Sequence, residues 1–193
     1  INEQTAYQTP GNSHSSRQGS AELQYAALTG DNATVKNAVR QLSWATYMVD
    51  DDGKNCYPRD EIWMTDGYGD YIRHYLRAMA WWPELAPSDQ NHLLGSTSVI
   101  QLIEYPASLN KFPGSEVTEK QVRKTILNYR TFDNKSTEVI RLKSKPGSVL
   151  VNQKPLQENA PEGEEGWIWK SLETGGILTV SHISGNRIVV LTD

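Results

Sequence analysis

Near residue 95 the chain changes its rhythm, and that change limits the folds open to it. Upstream, apolar residues recur at three- and four-residue intervals. Val35, Ala38, Val39, Leu42, Ala45 and Val49 form one such stripe, the mark of an amphipathic helix. Downstream, turn residues cut the chain into short apolar pieces. The breaks are Asp133-Asn134-Lys135, Lys145-Pro146-Gly147, Asn152-Gln153, Thr174-Gly175-Gly176 and Ser184-Gly185-Asn186. Strands are expected at 99–105, 125–132, 137–142, 148–151, 167–170, 177–181 and 187–191. A run of helices followed by a run of strands excludes alternating βαβ layers. Short strands with regular turns favour an antiparallel sandwich. The expected fold class is α+β: N-terminal α-hairpin helices in a domain over 1–94, then a C-terminal antiparallel β-sandwich over 95–193.

Three helices are expected upstream. Residues 1–19 are polar, rich in Ser, Gly, Asn and Gln, and read as loop. Ser20 is placed to cap a helix from Ala21 to Leu28, with Glu22 in its first turn. Thr29-Gly30-Asp31-Asn32 breaks that helix, and Gly30 can take the left-handed conformation that ends one. Asn32 is the expected cap of a second helix carrying the Val35–Val49 stripe. So short a turn makes the two helices antiparallel. A third helix is expected from Asp66 or Gly67 to Trp81, ended by Trp82-Pro83. The segment 118–124 has the composition of a further short helix.

Composition narrows the function. The net charge is −4 and the basic residues are scattered, which argues against a nucleic-acid partner. No apolar run reaches the length of a membrane span. Cys56 is the one cysteine, so neither an internal disulfide nor a thiolate metal framework is expected. Asp50-Asp51-Asp52-Gly53 has the charge of a calcium loop but lacks its alternating ligands and distal Glu. A Gly-rich phosphate loop is missing as well. No metal or cofactor is expected. The first residues, Ile1-Asn2-Glu3-Gln4, carry neither an initiator Met nor a signal peptide; a processed protein or a piece of a longer one is expected.

The densest chemistry lies at 60–75, where the third helix begins. Four carboxylates, Trp63, Tyr68, Tyr71, Tyr75, Arg73 and His74 share one loop-to-helix junction with two glycines. Asp66 and Asp70 are four residues apart and share a face if the helix includes both. Each residue also has a plain structural reading. Asp66 is a natural N-cap, and Asp70 a first-turn acid favoured by the helix dipole. Tyr68, Tyr71 and Tyr75 at helical spacing suit a core, and His74 suits a helix surface or core. Arg73 and Arg77 suit ion pairs with nearby acids.

Two groups of segments resemble a known family. Leu28-Thr29-Gly30-Asp31-Asn32, then Ala38-Val39-Arg40-Gln41-Leu42-Ser43-Trp44-Ala45-Thr46, resembles a helical hairpin of the (α/α) toroid, six-hairpin glycosidases and related lyases. Tyr57-Pro58 and Asp66-Gly67-Tyr68-Gly69-Asp70 continue the similarity. Downstream, Gly147 to Leu156, Gly166-Trp167-Ile168-Trp169, Ile177 to His182 and Arg187 to Val190 are similar to the β-sandwich that closes many glycosidase chains. There the first segment often reads V-x-V-N-G-x-x-L; this chain has Gln153 where Gly is common. The resemblance covers about 20–82 and 125–193. A whole toroid has many more helices than three, so the resemblance implies the C-terminal part of a longer enzyme, with the remainder of the parent chain as a partner.

That resemblance implies a glycan substrate and a secreted or periplasmic setting. Asp66 and Asp70 would then be the catalytic candidates, since a glycosidase needs two carboxylates flanking the scissile bond. Trp63, Tyr68 and Tyr71 would stack on sugar rings. Arg73 and His74 would serve substrate binding, or a lyase's charge neutralisation and proton abstraction. A non-catalytic carbohydrate-binding or structural module is the competing reading. Trp167 and Trp169 alternate on one strand and point to one face: exposed side by side, they would favour glycan binding by the strands; buried, they are core.

Overall fold

The computed structural model describes residues 12–47, 69–105, 124–161 and 163–192. They form an α+β protein, helices first and strands after, in two compact units that divide between Leu85 and Ala86. The expected helix at 118–124 lies outside the described residues.

The first unit has three helices: α1 (Asn12–Thr29), α2 (Val35–Thr46) and α3 (Gly69–Trp81), with a 3-10 turn at Pro83–Leu85. α1 packs against both α2 and α3. Its length corrects the sequence reading, which placed residues 12–19 in a loop. The Ser- and Gly-rich run is a helix face, with Ser15, Ser16, Gly19 and Ser20 all buried. A Cβ on Gly19 would lie 2.8 Å from the carbonyl oxygen of Ala38 and 3.1 Å from Leu42. Small residues were therefore selected for close approach to α2, not for a loop. Leu23 and Ala26 continue this buried face.

Gly30 ends α1 as expected, with φ of 74° and its N–H donating to Ala26 O at 2.8 Å. The start of α2 differs from expectation. Thr34, not Asn32, occupies the cap position, without a side-chain cap bond. Asp31 instead turns the chain, its Oδ1 accepting from Ala33 N at 3.0 Å. α2 buries Ala38, Leu42 and Ala45. Leu23, Ala38, Leu42 and Ala78 form the core of this unit, with Val35, Val39, Tyr75, Trp82 and Leu85 against it. Tyr75 donates its hydroxyl to the Leu42 carbonyl, linking α3 to α2.

The second unit holds two antiparallel sheets. One is ordered β1 (His92–Ser96), β4 (Ser136–Leu142), β8 (Gly176–His182), β7 (Gly166–Ser171). The other is ordered β2 (Ile100–Glu104), β3 (Thr125–Thr131), β9 (Arg187–Leu191), β5 (Ser148–Val151), β6 (Lys154–Pro155). β1 was not among the strands expected from the sequence; its pairing with β4 brings it into the sheet. Alternate residues of both sheets feed one buried cluster that includes Leu127, Tyr129, Ile140, Leu142, Val149, Val151, Trp167, Leu178, Val180, Ile188 and Val190.

Three connections pass from one sheet to the other at the same end: 97–99 after β1, 132–135 after β3 and 183–186 after β8. They are bonded to one another. Phe132 N donates to Val99 O at 2.8 Å, and Thr131 N to Asn186 O at 2.9 Å. Ser98 Oγ donates to Asp133 Oδ2 at 2.7 Å. Polar side chains collect beneath them.

Candidate functional site

The junction at 60–75 is described only from Gly69 onward. Asp66, Trp63 and Tyr68 lie outside the described residues. Asp70 and Tyr71 belong to the first turn of α3 by their backbone, one helical turn before His74 and Tyr75. His74 is 3% exposed, and Arg73 points to solvent. As successive helical positions the two cannot share one face. His74 lies on the buried side of α3 with Ala78, four residues on. The strand pair Trp167 and Trp169 is settled too: Trp167 is 3% exposed and Trp169 packs partly buried against the same cluster. They belong to the core, which removes the exposed aromatic face a sugar would stack on.

The most concentrated polar chemistry among the described residues lies elsewhere, under the three crossovers. Glu138 is on the inward face of β4 and fully buried. An isolated carboxylate there would be costly, but this one is surrounded by donors. Ser96 Oγ donates to its Oε1 at 3.0 Å, and Ser136 Oγ donates to the same oxygen. Tyr129 OH donates to Oε2 at 3.1 Å. His182 Nε2 stands 3.1 Å from Oε2, within ion-pair distance when protonated though not aligned as a hydrogen bond, and both side chains are fully buried. The other ring nitrogen, Nδ1, faces the carbonyl oxygen of Asn134 at 2.8 Å.

Acceptors therefore face both nitrogens of His182, which calls for a proton on each. Burial works against the cation, but the Glu138 carboxylate and the backbone of Asn134 and Gly185 outweigh it and hold the imidazole above its ordinary 6.5. Burial, then the charge and hydrogen bond of Glu138, push the Tyr129 phenol well above its usual range. Tyr129 thus stays a neutral donor. The arrangement reads as an imidazolium and a carboxylate, with hydroxyls completing the carboxylate's shell.

Ser, His and an acid together invite comparison with a nucleophilic triad, but the order is wrong. In a triad the imidazole stands between the hydroxyl and the acid. Here the acid stands between Ser136 and the imidazole, and neither ring nitrogen is available as a base.

Beside this cluster, on the outer face of the four-stranded sheet, lies a cleft of about 760 Å³. That volume is within the usual range for ligand sites, ~300–1,000 Å³. Thr137, Thr179 and Ser181 supply hydroxyls to its floor, with Lys135 and Glu164 on its rim. Thr137 Oγ1 and Ser181 Oγ are 3.1 Å apart across the strands. The loop before β7 forms a wall, pinned by Glu165. One oxygen of Glu165 accepts from Ile183 N and Ser184 N, both at 3.1 Å, and from Ser184 Oγ at 2.6 Å. Burial opposes ionisation of Glu165, but these donors and the charge on His182 together hold its carboxyl below the ordinary 4.5.

Compared with known proteins, the chain matches no family model, no curated protein and no solved structure.

Among the described residues no three His, Cys, Asp or Glu side chains are grouped to hold a metal ion. No described helix is long and apolar enough to cross a membrane. Glu164 is the one carboxylate lining the cleft among the described residues. Among the described residues the cleft offers hydroxyls, Lys135, His182 and the Glu164 carboxylate to a ligand, and no second carboxylate of the kind glycoside hydrolysis pairs with it.

Sequence reasoning missed the Glu138–His182 pair. Nothing near His182 in the sequence marks a partner for it. The signals present were an acid at an alternate position of a strand that is otherwise apolar on that face, and a His closing another such strand. Pairing them requires the register Ser136↔His182 between β4 and β8, which no local pattern encodes.

Proposed function

We propose that this chain is the C-terminal portion of a carbohydrate-active enzyme, a glycoside hydrolase or polysaccharide lyase acting on a polysaccharide or oligosaccharide. In this reading the helical unit is the end of an (α/α) toroid and the two sheets are its trailing β-sandwich. The protein works outside the cytoplasm, secreted or periplasmic, with the rest of the parent chain completing the site. Asp66 and Asp70 act as the carboxylates, while Trp63, Tyr68, Tyr71 and Arg73 serve the glycan; His74, on the buried side of α3, packs instead.

The observation that carries the reading is the order and pairing of the helical elements. α1 and α2 make an antiparallel hairpin joined at the Thr-Gly-Asp turn, and the next helix, α3, returns to pack on α1. α3 opens at Gly69, so the acidic and aromatic junction runs into a helix N-terminus. In a toroid of hairpins, helix ends of this kind face the sugar funnel. A second reading, a non-catalytic glycan-holding module, draws on the hydroxyl-lined cleft of the sheet unit. Burial of Trp167 counts against the aromatic version of it.

A panel of polysaccharides and oligosaccharides, screened for cleavage and binding with the full-length parent and with this chain, tests the proposal. The parent is expected to cleave at least one glycan, and Asp66→Asn in the parent to lose that activity. Unchanged activity in Asp66→Asn removes the catalytic assignment. Glycan binding by this chain alone, with no cleavage by the parent, selects the accessory reading.

A further inference from the structure

We propose that protonated His182 is a latch holding together the end of the two sheets where the 97–99, 132–135 and 183–186 connections meet, and that raising the pH opens it. The latch is geometric before it is electrostatic. Nδ1 of His182, at the end of β8, donates to Asn134 O in the β3–β4 connection at 2.8 Å. Nε2 faces Glu138 of β4 at 3.1 Å. Glu138 in turn is bonded to Tyr129 of β3 and to Ser96, which leads into the 97–99 connection. His182 with Glu138 thus links both sheets and the 97–99, 132–135 and 183–186 connections.

A neutral imidazole cannot keep both contacts. With the proton on Nδ1, the Nε2 lone pair faces a buried carboxylate; with it on Nε2, the Nδ1 lone pair faces a carbonyl oxygen. Either tautomer sets two acceptors against each other at side chains that are fully buried. Deprotonation also leaves Glu138 as a buried anion without its counter-charge, which is strongly destabilising.

Tyr129 of β3 stays a neutral donor. Glu165, in the loop before β7, is an anion that favours the cation. Asp133 and Lys135 lie in the β3–β4 connection, where Asp133 is bonded to Ser98. Lys135 and Glu164 lie on the cleft rim with opposite charges.

The direction of the pH effect follows. His182 is held above its ordinary 6.5 in the folded protein. Its contribution is complete below 6.5 and is lost as pH rises through the folded value. Glu165 is held below its ordinary 4.5. Its contribution is complete above 4.5 and is lost as pH falls through its folded value. The end of the sheet unit is therefore tightest between about 4.5 and 6.5 and opens on the alkaline side. The equilibrium constant for closure of this end drops about tenfold for each pH unit over which the closed form keeps the His182 proton and the open form has lost it.

The test is an NMR titration of the whole chain from about pH 5 to 9, with amide protection factors measured at the same points. The chain has four histidines, and His182→Gln assigns the imidazole signal. We expect His182 to titrate above 6.5, and protection at Thr131 and Phe132 to fall over that same range. Leu178 and Val190, farther along their strands from this end, should keep theirs. Glu138→Gln should bring the His182 titration down and flatten the loss. Tyr129→Phe, which keeps both charges, should preserve the pH dependence even if it lowers overall stability. Titration of His182 at or below 6.5 overturns the proposal. So does loss of protection that is uniform over both sheets, or unchanged protection at Thr131 and Phe132 once His182 has lost its proton. The wild-type titration decides the matter if Glu138→Gln does not fold.

Discussion

The hairpin between β5 and β6 offers a direct test of the backbone argument. Its two-residue turn is Asn152-Gln153, with φ of 46° and 68°. Positive φ at both positions defines the type I′ turn, for which Asn-Gly is the favoured pair. Asn152 suits the turn and is held there. Its N–H donates to Arg187 O at 2.8 Å, and its Oδ1 accepts from Arg187 N at 3.3 Å. Gln153 has no such tie among the described residues and its side chain is exposed. A non-glycine residue in the left-handed region costs ~1–2 kcal/mol. Glycine removes that cost, and its freer unfolded chain returns ~0.5–1 kcal/mol of it. Gln153→Gly should therefore stabilise the sheet unit by about 0.5–1 kcal/mol. The Tm of its unfolding transition should rise by about 3–6 °C, on the usual scaling for a unit of this size. Gln153→Val should move it the other way, because a β-branched side chain tolerates positive φ poorly. Denaturant titration with intrinsic tryptophan fluorescence measures both, since Trp167 and Trp169 pack on this core. A Gln153→Gly variant no more stable than wild type would refute the reasoning.

Substitutions at Arg141, Gly30 and Gly175 probe interior contacts and backbone conformation. Arg141 is 2% exposed, and its guanidinium donates to the carbonyls of Ala86, Leu142, Gly176 and Thr174 at 3.3, 3.1, 3.0 and 2.5 Å. Arg141→Ala should cost ~3–5 kcal/mol in chemical denaturation by stranding those acceptors, and Arg141→Lys should recover only part, because an ammonium cannot span the fork. Gly30 and Gly175 have similar φ, 74° and 63°, but different surroundings. A Cβ on Gly30 meets nothing within 4 Å, whereas on Gly175 it would lie 2.2 Å from Leu142 O. Gly30→Ala should therefore cost ~1 kcal/mol and Gly175→Ala more than about 3 kcal/mol; equal costs would show that the close approach does not matter.

The central junction at 60–75, so dense in reactive side chains, bears on function through the direction in which α3 begins. His74 shows how a residue's chemistry and its placement separate. Its type suited a base or a sugar ligand, yet it lies on the buried side of α3 with Ala78. The pair that is best built for proton chemistry, Glu138 and His182, sits in the other unit, where its role is to hold connections together. Its members come from strands far apart in the chain.

Periodicity and punctuation determined the class of this protein: helices before the break and antiparallel strands after it. Those signals are local, because a helix or a strand must repeat its apolar face within a few residues. The Gly30 ending of α1, the hairpin at Asn152-Gln153 and the alternating inward faces of the strands were legible for the same reason. What lay beyond local signals was decided by packing. The Ser-Gly run of 12–19 is helical because α2 approaches it closely enough to exclude a Cβ at Gly19. β1 is a strand because β4 is there to pair with it. Glu138 can remain buried because Tyr129, Ser96, Ser136 and His182 converge on it from different strands. A buried charge is tolerable only when its partners are in place, and partners brought from distant strands exist only once the chain has folded.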